Sequence, residues 1–262
     1  MYYLVAAILG AIVGSFLNVC ILRIPKGESV VFPASHCPAC QKPIAPLDNI
    51  PLISFLMLKG RCRYCSAKIS WQYPLLEILA ACFFVLFYHF FGITVKGVLY
   101  LLFSLALLVE TFIDLKHQII PDVITLPGIA IGLIASAFFP ALHGETLAWM
   151  GFLKSLIGVL IGGGFFYVTG TLAEWILKKE ALGGGDVKLL AMIGALLGWP
   201  GVVWTIFTSS LIGSAVGLYL RIKSGDERIP FGPYLAAGAF LYLFFGERIV
   251  LWYAHSAGIY GY

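Results

Sequence analysis

Residues 2–22 read YYLVAAILGAIVGSFLNVCIL, and this stretch decides the fold. It carries no charge and is long enough to cross about 30 Å of hydrocarbon as a helix. A cleavable signal would place positive charge before its apolar run. Here Arg23 and Lys26 follow the run instead. The segment is therefore expected to remain as a first membrane span, with the N-terminus outside the cytoplasm.

The remainder of the chain agrees. Of 262 residues, 60% are hydrophobic and 11% charged, where soluble domains carry about 25% charged residues. Mean hydropathy is +0.95. Further spans are expected at 74–94, 97–113, 122–139, 151–176, 187–199, 201–220 and 231–252, with a sharp turn at Trp199-Pro200-Gly201. This predicts an all-α polytopic membrane protein of about eight transmembrane helices. The division expected is a first helix (1–22), a cytoplasmic module (23–73) and a seven-helix membrane-embedded domain (74–262).

Basic residues support that topology. Arg23, Lys26, Lys42, Lys59, Arg61, Arg63 and Lys68 fall in the first cytoplasmic loop, and Lys116 in the second. Lys178, Lys179 and Lys188 fall in the third, and Arg221, Lys223 and Arg228 in the fourth. Only Lys96, Lys154 and Arg248 lie elsewhere. The positive-inside rule asks for this distribution. The net charge of +4 comes without a basic stripe interleaved with aromatics, so nucleic acid is not an expected partner.

The first loop holds Cys37-Pro-Ala-Cys40 and Cys62-Arg-Tyr-Cys65, and the two halves repeat each other through Ile44 and Ile69. Two such knuckles can set four thiolates tetrahedrally around one Zn²⁺. Two disulfides are the alternative, which a reducing cytoplasm disfavours. Such a site has no open position, so its role is structural, and it would supply folding energy to a loop too short for a core. Lys42, Arg61, Arg63 and Lys68 would offset its negative charge. Cys20 and Cys82 lie in spans and read as small buried hydrophobes.

Carboxylates in or beside spans are costly and mark function. Glu77, Glu110, Asp114, Asp122, Glu174 and Asp186 are the candidates. Asp114 ends the third span and Asp186 begins the sixth after Gly183-Gly184-Gly185, so both fall at the cytoplasmic boundary. Two carboxylates sharing a proton can activate water and protonate a leaving amine, as peptide hydrolysis requires. The helix dipole disfavours charge at Asp114 and favours it at Asp186, which makes Asp114 the expected protonated partner. The glycines before Asp186 would permit unusual dihedrals and close approach of a substrate strand. Asp122 reads as a cap of the fourth span.

With these motifs in place, the chain resembles the bifunctional bacterial type IV prepilin peptidases, the leader peptidase/N-methyltransferases. Gly14-Ser15-Phe16-Leu17-Asn18-Val19, the paired Cys-x-x-Cys motifs and Tyr73-Pro74-Leu75-Leu76-Glu77 carry the resemblance. So do Asp114 with Ile120-Pro121-Asp122, Gly183 to Leu189, and Pro230-Phe231-Gly232-Pro233. The resemblance implies an inner-membrane aspartic protease that removes the basic leader of prepilins and pseudopilins, serving a type IV pilus or type II secretion system. It maps the catalytic pair onto Asp114 and Asp186. It also implies methylation of the new N-terminal residue, usually Phe, with S-adenosylmethionine as donor. No Gly-x-Gly-x-x-Gly turn is present for that donor, and Asn18 and Glu77 are the candidates to contact it. Glu77, Glu110 and Glu174 are candidates to read the basic leader.

Two other readings remain open on the residues alone. A monofunctional membrane aspartic peptidase would lack methyl transfer. A carboxylate-lined transporter would explain the acidic residues but not the cysteine knuckles or the Gly-Gly-Gly-Asp turn; a scaffold docking through the module would leave both aspartates dispensable.

Overall fold

The computed structural model describes residues 1–178, 183–224, 230–246 and 248–249. Among these the secondary structure is helical, with two isolated antiparallel bridges and no strand. The long elements are α1 (Tyr2–Arg23), α3 (Gln72–Phe91), α4 (Val95–His117), α5 (Asp122–Phe138), α6 (Ala148–Val159), α7 (Phe165–Leu177), α8 (Gly184–Ser224) and α9 (Gly232–Leu241). A short α2 (Ile53–Met57) lies in the loop after α1. Lipid offers no hydrogen bonds to backbone groups, so apolar runs of this length satisfy them internally as helices.

Among the described residues five stretches are long and apolar enough to cross a membrane: Tyr2–Lys26, Gln72–Phe91, Val95–His117, Ala148–Leu172 and Gly184–Leu220. Asp122–Phe138 and Gly232–Gly246 are shorter apolar helices. α6 runs into α7 through a wider turn at Leu160–Gly164, and α8 is two legs joined at Gly198. Among the described residues eight helical legs follow the expected eight, the end of the last expected span (250–252) lying outside them, and the chain is an all-α polytopic membrane protein.

Three boundaries differ from expectation in ways that matter. α4 continues to His117, so Asp114 sits inside its last turn. α8 starts at Gly184, which puts Asp186 in its first turn. The break between the sixth and seventh legs is at Gly198, with φ 68° and ψ −177°, and helix resumes through Trp199-Pro200-Gly201. The fixed φ of Pro200 suits the first turn of a new leg, and glycine alone takes the φ before it cheaply. Beside this break, the Ala195 carbonyl accepts hydrogen bonds from the Ser155 and Ser136 hydroxyls at 2.5 and 3.3 Å.

Residues up to Val109 and residues from Glu110 onward form two compact units. In the first, α1 lies along α3 through glycines at i and i+4 spacing. A Cβ on Gly10 would stand 2.6 Å from the Ala81 Cα, and one on Gly14 would stand 2.7 Å from the Glu77 Cα. Small residues at this spacing let membrane helices approach closely. Asn18, 1% exposed, locks the pair near its end. Its amide donates to the Gly14 and Tyr73 carbonyls, and its Oδ1 accepts from Gln72 Nε2.

In the second unit the first leg of α8 is the core. Leu189, Leu190, Ile193 and Ala195 are fully buried among α5, α6 and α9. Gly158 and Gly194 meet backbone to backbone, leaving no room for a Cβ on either. Elsewhere large apolar side chains such as Leu9, Leu102 and Phe207 point outward, as they must when lipid is the solvent. Cys20 is buried as expected, but Cys82 is exposed. In an apolar solvent an outward thiol loses nothing, so burial was the wrong expectation for a small hydrophobe there.

Replacing Gly14 with Leu must spread α1 from α3 or bend both. Overpacking of this kind costs about 1–3 kcal/mol, and each kcal/mol lowers the unfolding midpoint by about 2–4 °C for a chain of this size. Thermal unfolding in detergent should show that drop for Gly14→Leu and almost none for the outward Leu102→Met.

Candidate active site and metal cluster

The two aspartates reach one place from three helix ends. Asp114 projects from the last turn of α4, 5% exposed. Its Oδ2 accepts a 3.0 Å hydrogen bond from the N–H of Gly232, the first residue of α9. Pro233 follows at the second helical position, where a missing N–H costs nothing, and the Gly232 N–H is one of the donors a helix leaves unpaired at its start. A Cβ on Gly232 would stand 2.7 Å from that same Oδ2. Asp186 opens α8, and its own N–H closes a turn onto the Gly183 carbonyl at 3.0 Å. It lies close enough to Asp114 for the two carboxylates to interact electrostatically.

Ile120 joins the parts. A Cβ on Gly185 would meet Ile120 Cβ at 2.8 Å, and one on Gly232 would meet Ile120 Cδ1 at 3.4 Å. None of Gly183, Gly184 and Gly185 has a positive φ. The need at Gly185 is close approach, not an unusual dihedral as the sequence suggested. The dipole contrast expected between the aspartates also disappears. Asp114 closes α4 but is bonded by the start of α9, so each carboxylate meets a helix N-terminus.

Asp122 does not cap α5. It sits at the first helical position with no side-chain cap hydrogen bond in the element. Its two carboxylate oxygens instead accept from Lys188 Nζ at 2.6 and 2.8 Å. The pair straps the segment after Asp114 to the helix that carries Asp186. Sequence reading missed both this strap and the Gly232 donor. The Pro at position 233 was the available sign of the second; nothing in the sequence pairs residues 122 and 188.

Glu110 lies one turn before Asp114, 1% exposed, with neither carboxylate oxygen hydrogen-bonded. A group so enclosed cannot meet a leader peptide directly. The side chain of Glu174 lies outside the described residues. Glu77, 7% exposed, accepts from the Leu52 N–H at 2.8 Å and is also bonded by Ser15.

The four module cysteines are free thiols whose sulfurs all lie within 4.8 Å of one another. Cys37 Sγ and Cys65 Sγ are 3.8 Å apart, far beyond a disulfide bond. Four sulfurs about 2.3 Å from a tetrahedral centre stand about 3.8 Å apart, so the cluster fits a metal ion. The repeat read in the sequence is a repeat of hydrogen bonds. The Cys37 N–H donates to Lys42 O and Gln41 N–H to Cys37 O; the Cys62 N–H donates to Ala67 O and Ser66 N–H to Cys62 O. Gln41 and Ser66, each following the second cysteine of its pair, both take φ 59°. Backbone N–H groups of Cys65 and Tyr64 pull the Cys62 thiol down to about 6. Of the basic residues expected to balance the cluster, Arg63 grips Asp48 at 2.5 and 2.7 Å and Lys42 lies over the Tyr64 ring.

Comparison with known proteins agrees with both regions. Residues 8–91 match the bacterial peptidase A24 N-terminal domain, and residues 101–218 match the type IV leader peptidase family. A prepilin leader peptidase/N-methyltransferase of Pseudomonas aeruginosa is 37% identical over 98% of this chain and 95% of its own length. One of Stutzerimonas stutzeri is 35% identical over 98% and 95%. A type 4 prepilin-like proteins leader peptide-processing enzyme of Escherichia coli is 40% identical over 89% and 90%. No solved structure matches the chain. Alignments of this depth and extent, over both the cysteine module and the aspartate-bearing helices, place the chain in the type IV leader peptidase family.

Proposed function

We propose that the chain is a membrane aspartic endopeptidase that removes the basic leader of type IV prepilins and pseudopilins and then N-methylates the exposed residue. The observation that carries the reading is the meeting of Asp114 and Asp186 at converging helix ends of a polytopic protein. A prepilin has a basic leader followed by a membrane helix, so its scissile bond lies at a lipid boundary, where these helix ends also lie. The placement of basic residues in the sequence puts that boundary at the cytoplasmic face of the inner membrane. The chemistry belongs to the helices of 74–262, and 23–73 is the metal module.

Asp114 and Asp186 share one proton. The ionised carboxylate takes a proton from water as the oxygen attacks the scissile carbonyl carbon. The protonated partner donates to the carbonyl oxygen, and a proton then passes to the leaving nitrogen as the C–N bond breaks. The Gly232 N–H fixes one Asp114 oxygen and leaves the other for water. Acidic recognition of the leader does not fall to Glu110, which is enclosed, nor to Glu77, which holds Leu52.

Four facing thiols favour Zn²⁺ as the resident ion, held by Cys37, Cys40, Cys62 and Cys65 in a structural role. For methylation, S-adenosylmethionine supplies an electrophilic methyl group. Asn18 does not fit as its ligand, since its amide is fully used within the α1–α3 pair. Glu77 is likewise engaged, but Ser15 and Leu52, its two partners, both line a groove of about 860 Å³ between α1 and residues 30–35 and 49–53. That size suits a small-molecule site, and the groove is the place we assign to the donor.

Purified protein mixed with a prepilin and S-adenosylmethionine should yield a product lighter by the leader and heavier by one methyl group on weighing. Cleavage without the methyl group would leave a monofunctional peptidase. Asp114→Asn and Asp186→Asn should each cut cleavage by roughly a thousandfold or more; full activity in either would refute the pair.

The strap gives a second test. Asp122→Lys and Lys188→Asp should each slow cleavage, and the double exchange should recover most of the loss. Partly exposed pairs contribute only about 0.2–1 kcal/mol, so folding should survive all three changes.

A third concerns the metal. Thiols must lose protons to bind it, so occupancy is complete at neutral pH and falls as acid returns protons to the sulfurs. Elemental analysis should find one zinc per chain at pH 7, declining below about pH 6, and none in Cys62→Ser/Cys65→Ser.

A further inference from the structure

The module's short helix α2 packs at the start of α3, one of the stretches apolar enough to cross a membrane. The Leu52 N–H at its start bonds Glu77 Oε2 at 2.8 Å. Glu77 is five residues into α3, about 7.5 Å along the helix from Gln72. The Glu77 side chain leans back toward the start of its helix, and α2 therefore lies beside the first turns of α3. The Phe55 ring of α2 lies tilted against that of Trp71, the residue just before α3, with centroids 5.0 Å apart. Leu56, Met57 and Trp71 are 74%, 76% and 76% exposed. Three large apolar side chains this open at this depth have hydrocarbon and headgroups as their neighbours, and tryptophan is enriched at that level.

Charge then selects the lipid. Met57 and Leu58 lead directly into a shallow groove of about 610 Å³ lined by Lys59, Arg61 and Arg63. Arg63 is taken by Asp48, but no ion pair joins Lys59 or Arg61 to an acid among the described residues. Both are exposed. Two unpaired cations beside an apolar wedge match an anionic phospholipid, whose phosphate would meet the cations while its chains cover Leu56, Met57 and Trp71. A free phosphate would leave the apolar side chains uncovered, and a zwitterionic lipid brings an ammonium group that opposes the two cations.

We infer that α2 and the groove behind it form a binding site for an anionic phospholipid, which holds the metal module against the membrane. The inference is independent of the proteolytic reading.

The test uses full-length, metal-loaded protein in nanodiscs of phosphatidylcholine alone or mixed equally with phosphatidylglycerol, read by hydrogen–deuterium exchange. Amides of 54–60 should exchange roughly tenfold more slowly with phosphatidylglycerol present. The difference should vanish in Lys59→Gln/Arg61→Gln with zinc content unchanged. Equal exchange in the two bilayers would overturn the site. So would protection that glycerol phosphate alone reproduces in phosphatidylcholine, or that arises only when a prepilin is added, since the surface would then serve a free phosphate or the substrate. Loss of zinc from the double variant would also overturn it, by assigning those cations to the thiolates.

Discussion

The hydrogen bond from the Gly232 N–H to Asp114 Oδ2 ties the last turn of α4 to the first residue of α9. A carboxylate at the edge of hydrocarbon needs donors, and an apolar bundle has few to offer except where helices begin. α9 begins with Gly232 against Asp114, and α8 begins with its first turn around Asp186. The Asp114 carboxylate is thereby bonded by a helix start, and Asp186 lies in the first turn of another. A Cβ at 232 would stand 2.7 Å from the oxygen that residue serves and would push the Asp114 side chain aside.

Close backbone approach recurs wherever the bundle is tight. Gly10 and Gly14 seat α1 on α3, Gly158 and Gly194 seat α6 on α8, and Gly185 admits Ile120 beside the aspartates. In lipid there is no hydrophobic gain from pressing one apolar helix on another, so contact rests on dispersion at short range and on bonds between polar groups. The serine hydroxyls on Ala195 O and the Asn18 amide between α1 and α3 are the polar part of the same solution.

Much of this was legible in the sequence, for physical reasons. Apolar runs of span length and the asymmetry of Lys and Arg announce helices and their order. The Cys-x-x-Cys pairs announce a cluster because two residues between ligands set the knuckle. Asp114 and Asp186 stood out because charge is rare in such segments. What stayed hidden was set by pairing across distance. Asp122 looks like a cap in isolation and proves to be the partner of Lys188. Asn18 looks like a polar ligand and proves to be a saturated helix tie. The turn forecast at Trp199-Pro200-Gly201 falls at Gly198, because proline fixes only its own φ and leaves the reversal to the glycine before it.

The two clusters of acidic hydrogen in this chain differ in what they leave open. The four thiols face one another at tetrahedral spacing, and each pair repeats the same backbone bonds; an ion placed there has its coordination filled by protein. Such a centre can stabilise a fold but has no position for a reactant. The aspartates are held from outside, by Gly232 and by the chain around Gly183 to Gly185, and Asp114 keeps an oxygen that no described donor occupies. The carboxylates thus keep open valence where the sulfurs, facing one another, keep none.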